Sequence, residues 1–302
     1  MNNIVFFTRK ITRGIIRRLK LGQNRFKKNA LKLAKAKSKS EEFVDLMPGI
    51  NLPMVIQPEM YFARTGYSQY IFEPDSLDFI HDHLKPGNTF LDIGANIGYF
   101  SLMCAKIIGT NGRVIAFEPG DFAFNLLAKN KELNKFDNID IYQAGFGEKS
   151  EILEFNSGSP GMEVYNSLGN IVHTAADPNK FNKTLVQVFQ GSTWLKNNHI
   201  DYVDLMKLDV EGGEYNVLKG MLEMFQKQKI ALLLIEIGYE PSQVFGYHPR
   251  DILSMLKECG YDWFRLRPFG RLEPLLQNDI GSPEDGHMFV AISKKYKDLK
   301  HN

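Results

Sequence analysis

The chain has 302 residues, enough for one elaborated domain or two small ones, and its 43% apolar and 24% charged composition is that of a globular protein. No apolar run is long enough to cross a bilayer, and the two cysteines, Cys104 and Cys259, lie outside any CxxC pairing. That argues against a disulfide framework or a zinc site and fits a reducing, cytoplasmic compartment. The formal charge of +2 hides an asymmetry: residues 1–40 hold 13 of the 37 Lys and Arg and no Asp or Glu, leaving 24 basic against 35 acidic residues elsewhere.

The basic arm carries Ile4, Phe7, Ile11, Ile15 and Leu19 at helical spacing with Arg and Lys between them. A basic amphipathic helix of this kind can lie on an anionic membrane surface as a peripheral contact. A solvated or partner-packed helix followed by a Lys-rich linker fits the same residues, and an organellar presequence is not excluded. The expected division is an arm over residues 1–45 and one domain over 46–300.

From about Leu77 strands and helices alternate. "TFLDIG" reads as a short buried strand and "YFSLMCAKIIG" as a helix ending at Gly109. "GRVIAFEP" is the next strand, followed by the helix "FAFNLLAKNKELN" and the strand "IDIYQAGF". Residues 155–200, rich in Gly, Ser, Pro and Asn, show few clear elements and read as an irregular insertion near the substrate. Then come "YVDLMKLDV", a helix through "YNVLKGMLEMFQKQ", the strand "IALLLIEI" and the helix "PRDILSMLKECG". The last strands, "YDWFRLRP" and "GHMFVAISKK", have no helix between them and suit an antiparallel hairpin at the sheet edge. Strands apolar on both faces and separated by helices predict an α/β, doubly wound, mainly parallel sheet.

The strongest chemical signal is "FLDIGANIGYFSL", where a strand ends in Asp92 and a turn with Gly94, Asn96 and Gly98 opens a helix. Ligands of doubly wound sheets bind beyond such strand ends. The next strand ends in Glu118, placed to accept both hydroxyls of a ribose. A dinucleotide fingerprint fails twice, since Asn96 and Tyr99 stand where glycines are required. Asp92 would repel a pyrophosphate but attract an ammonium, which favours S-adenosylmethionine over a nicotinamide dinucleotide. At the third strand end, the loop with Gly145 and Phe146 is placed to flank an adenine, Phe146 being either a stacking partner or core.

"FLDIGANIGYFSL", "VIAFEPGDFAFNLLAKN", "QAGFGEKSEILEF" and above all "IDYVDLMKLDVEGGEYNVLKG" followed by "LLLIEI" resemble the FkbM-type family of S-adenosylmethionine-dependent methyltransferases. The likeness runs from about Tyr70 to Val290 and includes "YIFEPDSLDFI". It implies a Rossmann-like class I fold with a seven-stranded sheet, preceded here by the basic helical extension. The implied activity is O-methylation of a hydroxyl on a sugar, a glycan or a secondary metabolite. Where many members carry Thr-Leu-Asp before the fourth strand, this chain has "GSTWLKNN", a departure that bears on the local loop.

The fourth strand delivers Asp209 to its carboxyl end, with Lys207 two residues earlier on the same face. A buried lysine needs a partner, and Asp209 or Glu236 is expected to supply it. Asp209 or Glu211 is the expected general base, with the other orienting the acceptor. Glu214 shares a helix face with Val217 and Leu218, which favours a buried or functional role over simple capping. His287 is an alternative base. The carboxylates suit Mg²⁺ or Ca²⁺, yet Lys207 already supplies a positive charge and no histidine joins them, so no metal is expected. An amine N-methyltransferase and a non-catalytic, membrane-associated cofactor-binding protein are the alternatives. Nucleic acid is not an expected partner, because no NPPY-type loop follows the fourth strand and the body is acidic.

Overall fold

The computed structural model describes residues 42–60, 71–169, 171, 176–275 and 287–296. The basic arm, and the membrane contact expected of it, lie outside the described residues.

The chain opens with a hairpin of β1 (Phe43–Leu46) and β2 (Pro53–Ile56), followed by α1 (Pro74–His83). The first alternating unit is β3 (Thr89–Ile93), α2 (Tyr99–Ile108), β4 (Arg113–Phe117), α3 (Asp121–Asn134) and β5 (Ile139–Tyr142). After an insertion come α4 (Gly191–Asn197), β10 (Val203–Leu208), α5 (Glu214–Gly220), α6 (Leu222–Gln226), β11 (Ile230–Ile237) and α7 (Tyr239–Val244). The chain closes with α8 (Pro249–Glu258), β12 (Tyr261–Arg267), β13 (Arg271–Pro274) and β14 (His287–Ser293).

The main sheet has eight strands in the order β13-β12-β14-β11-β10-β3-β4-β5. Its β11-β10-β3-β4-β5 portion is parallel, whereas β14 runs antiparallel between β11 and β12. The seven-stranded expectation is therefore corrected by one: β13, a four-residue strand, folds back on β12 as an exposed edge. The last long strands do pair antiparallel, but β14 inserts into the sheet instead of lying at its edge.

Residues 151–190 hold more order than their composition suggests. β7 (Glu151–Gly158), β8 (Ser167–Leu168) and β9 (Phe181–Gln190) join β6 (Gly145–Gly147) in a second sheet of order β6-β9-β7-β8. The strand expected over "IDIYQAGF" thus divides: β5 stays in the main sheet and β6 leaves it. The helix expected through "YNVLKGMLEMFQKQ" likewise breaks at Met221 into α5 and α6.

Helices cover both faces of the main sheet. Phe90, Leu205, Leu232 and Leu234 pack with α1, α2 and the β1–β2 hairpin, whereas Leu91, Met206, Leu233 and Ile235 pack with α4, α5, α6 and α8. Side chains alternate along a strand, so Asp92, Lys207 and Glu236 belong to the α1–α2 face. All three stand near the carboxyl ends of β3, β10 and β11, where the chain order reverses between β3 and β10. Among the described residues no helix is long and apolar enough to cross a membrane.

Candidate active site

A cavity of about 640 Å³ opens beyond the carboxyl ends of β3, β10, β11 and β12, a size typical of small-molecule sites. Its wall includes Gly94–Ile97, Glu118, Gly145, Phe146, Lys207, Asp209–Glu211 and Glu236, together with Glu73, Glu163, Arg265 and Arg267. Three non-glycine residues of this wall hold positive φ: Glu73 at 39°, Asn96 at 49° and Glu211 at 57°. Such backbones are costly and cluster at functional sites.

The β3 turn is shaped by close approach. Gly94 has φ +85°, and a Cβ there would stand 1.8 Å from the Asp209 carbonyl oxygen. The adjacent strand end is pinned by the Asp209 N–H donating to the Ile93 carbonyl at 3.1 Å. Asn96 takes the left-handed conformation that a glycine-rich turn would give to glycine, a region asparagine tolerates. Its N–H donates to Glu118 Oε2 at 2.8 Å, and the Gly120 N–H donates to Glu118 Oε1 at 2.9 Å. Asn166, from the insertion, completes this grip with a side-chain hydrogen bond to Glu118. Burial nonetheless pushes the Glu118 carboxyl up to about 7. Three donors on the carboxylate's roughly four acceptor sites leave one for a further donor.

The insertion lies beside this end of the cavity: Phe155, Glu163, Val164, Tyr165, Asn166 and Leu168 all contribute to the wall. Gly145 and Phe146 contribute as well, but the Phe146 ring is 2% exposed and is enclosed by Phe117 at 4.4 Å and Trp194 at 5.9 Å. Its ring thus packs among these aromatics while the residue forms part of the cavity wall.

The other end is a charge cluster. Lys207 is 2% exposed, and its Nζ donates to Asp209 Oδ2 at 2.6 Å while lying 4.9 Å from the Phe100 ring centre. Of the two partners expected for Lys207, Asp209 is the one that pairs. Burial alone would lower the Lys207 ammonium, but Asp209, Glu73 and Asp92 outweigh it and hold it above its usual range. Asp209, together with burial and the Glu211 and Glu73 carboxylates, pushes Glu236 well above the usual carboxylate range. The side chain of His287 lies outside the described residues.

Two expected site residues stand behind the wall. Asp92 is 1% exposed and accepts from Ser101 Oγ at 2.5 Å, and among the described residues its buried Oδ1 has no hydrogen-bond partner. It does not line the cavity, so its expected direct contact with a ligand is corrected to a supporting position. Glu214 is 3% exposed and also off the wall. Its Oε1 accepts from the N–H groups of Val210 and Gly212, both at 3.1 Å, and its Oε2 from the Tyr247 hydroxyl at 3.2 Å. Glu214 therefore clamps the loop that carries Glu211; the catalytic placement expected for it becomes a positioning one.

Sequence reasoning missed Glu73, Glu163, Asn166, Arg265 and Arg267. One signal was available for the first: the tripeptide Phe-Glu-Pro occurs at residues 72–74 and again at 117–119, and each copy delivers its glutamate to the cavity. Among the described residues no group of three or more His, Cys, Asp or Glu side chains is arranged to hold a metal.

The family model for the methyltransferase FkbM domain matches residues 92–263. Methyltransferase sdnD of Sordaria araneosa is 26% identical over 247 residues, covering 72% of this chain and 92% of that protein. Hexuronic acid methyltransferase AglP of Haloferax volcanii is 23% identical over 222 residues, covering 70% of this chain and 87% of that protein. Among solved structures, a precorrin-6y C5,15-methyltransferase from Geobacter metallireducens superposes with a TM-score of 0.40 at 10% identity, over 74% of this chain and 89% of that one.

Proposed function

The chain belongs to the methyltransferase FkbM family and is an S-adenosylmethionine-dependent methyltransferase, and from that premise we propose that it methylates a hydroxyl oxygen of a sugar, a glycan or a secondary metabolite. The observation that carries this reading is the Lys207–Asp209 pair beside Glu236 in the cavity wall. Asp209 offers a proton acceptor, and Glu236 a second polar contact, to one hydroxyl group.

The residues present fit the cofactor. Glu118 has an acceptor site left for a ribose hydroxyl, Gly94 keeps the turn free of a side chain, and an orphaned carboxylate oxygen of Asp92 lies behind the same turn. Bound there, S-adenosylmethionine supplies a methyl group already activated on a positively charged sulfur. The chain's part is then to align the acceptor and take its proton. Asp209 accepts that proton at Oδ1, while Lys207 holds Oδ2 and fixes the carboxylate plane. Glu236 and Glu211, the second on its strained loop, orient the acceptor. Glu214 and Tyr247 keep that loop in place.

An acidic sugar suits the acceptor end, because Arg265 and Arg267 contribute to the wall beside Met288. The hexuronic acid named for the Haloferax relative belongs to the same chemical class. The test is transfer of a labelled methyl group to matched neutral sugars, acidic sugars and amines, with the product linkage read by mass spectrometry. An alkali-stable methyl ether on a sugar is the expected product. Methylation at nitrogen, or no transfer to any hydroxyl acceptor, would overturn the reading.

A further inference from the structure

Glu73 precedes Pro74 at the start of α1, with φ 39° and ψ 62°. Both the left-handed region and the position before proline disfavour this conformation for a glutamate. A residue at this position ordinarily caps its helix through its side chain, yet Glu73 makes no such cap. Its Oε2 instead accepts from Ser76 Oγ at 2.8 Å, and Ser76 is 2% exposed. Among the described residues this is the only hydrogen bond of the Glu73 side chain. The residue lines the cavity and interacts electrostatically with Lys207, Asp209 and Asp92.

S-adenosylmethionine brings an α-ammonium into this cavity, and a cation taken out of water needs an anionic partner. Most of the cavity's carboxylates are committed elsewhere. Glu118 is held at the insertion side by Asn96, Gly120 and Asn166. Glu163 accepts from the Gly161 N–H at 2.5 Å. Asp209 is paired with Lys207 at 2.6 Å. Asp92 stands behind the wall. Glu236 stands beside Asp209, whose charge pushes its carboxyl upward. Glu211 rides on the loop after β10. Glu73 faces the same cavity from the α1 side, with Asp92 near enough to reinforce its field.

We propose that the Glu73 carboxylate is the counter-charge for the α-ammonium of S-adenosylmethionine, aimed into the cavity by its left-handed backbone and by Ser76. The assignment rests on the cofactor site described above. Glu73 acts on a part of the cofactor that takes no part in the chemistry, so its signature is selective binding.

The experiment is calorimetric titration of the full chain with three ligands: S-adenosylhomocysteine, its desamino analogue, and 5′-methylthioadenosine, which lacks the whole amino-acid portion. Glu73→Gln keeps shape and removes charge. It is expected to weaken S-adenosylhomocysteine about tenfold or more, as loss of a charge-assisted hydrogen bond does, and to leave the other two ligands within about twofold. Ser76→Ala, which frees Oε2, is expected to give the same selective loss in smaller measure, and it decides the matter if Glu73→Gln fails to fold. Unchanged affinity for S-adenosylhomocysteine, or equal weakening of all three ligands, overturns the assignment. A wild-type chain that binds none of the three overturns the cofactor site itself.

Discussion

Glu118 links cofactor binding to pH. Burial, with a further contribution from Asp92, holds its carboxyl at about 7 against an ordinary 4.5, although Gly120, Asn96 and Asn166 pull the other way. For folding, the raised value means stability that is full below pH 4.5 and is lost as pH climbs through about 7. The gap amounts to about 3 kcal/mol. A ribose hydroxyl donating to the carboxylate favours its ionised form, so cofactor binding expels the proton. At pH 6 about nine-tenths of the free protein carries that proton, and at pH 8 about one-tenth does. Affinity for S-adenosylhomocysteine is therefore expected to rise about tenfold between pH 6 and pH 8, with nearly one proton released per ligand at the lower pH. Calorimetry in two buffers of different ionisation enthalpy reads both quantities. Glu118→Gln is expected to bind more weakly at pH 8 and to show no slope. A flat wild-type profile, or the same slope in Glu118→Gln, refutes the assignment of the titrating group.

Lys207→Met leaves Asp209 and Glu73 without their shared ammonium. A loss of about 3–5 kcal/mol is expected at pH 8 and a smaller one at pH 5, measured by urea denaturation. An equal loss at both pH values would mean that packing and not charge is at stake. Gly94→Ala places a methyl group 1.8 Å from the Asp209 carbonyl at φ +85°. It is expected to cost about 2 kcal/mol or more in the same assay and to abolish cofactor binding. Removing residues 1–40 is expected to spare turnover on a soluble acceptor while abolishing co-sedimentation with anionic vesicles; undiminished co-sedimentation ends the membrane reading of the basic arm.

The part of the site built on β3, β4 and β10 was legible in the sequence for one physical reason. Buried parallel strands are apolar on both faces, so a lone carboxylate or lysine at a strand's carboxyl end stands out, as Asp92, Glu118, Lys207 and Asp209 do. The second sheet did not announce itself, because β7 and β9 are ribbons with one side in water. Their exposed Ile152 and Leu185, set among Lys, Glu and Asn, read as noise. β13 was missed for a similar cause: "RLEP" is a short, charged edge with no buried face of its own. Glu73 sits in "YIFEPDSLDFI", ahead of the first strand, and its neighbour in space, Lys207, is 134 residues further on. Glu214 was read correctly as facing inward, but a face says nothing of which partners wait there. The backbone N–H groups of the loop at 210–212 were invisible in the pattern.

The Lys207 ammonium, 2.6 Å from Asp209 Oδ2, holds that carboxylate in the cavity wall. A carboxylate is a weak base, and a sugar hydroxyl gives up its proton only at a pH far above neutral. Asp209 can take that proton only as the new carbon–oxygen bond forms, when the oxygen turns acidic. Its contribution is then that of a positioned general base, about 10²–10⁴-fold. An acceptor that is itself a carboxylate has no proton to lose at neutral pH and gains nothing from this base. Asp209→Asn is therefore expected to cut methyl transfer to a hydroxyl acceptor by about 100-fold or more, and to leave transfer to a carboxylate acceptor within a few-fold. Affinity for S-adenosylhomocysteine is expected to stay within about twofold, because Asp209 acts on the acceptor and not on the cofactor. Parallel single-turnover measurements on the two acceptor types isolate the chemical step. Hydroxyl transfer by Asp209→Asn at near wild-type rate would move the base to Glu211, and Glu211→Gln would then carry the loss.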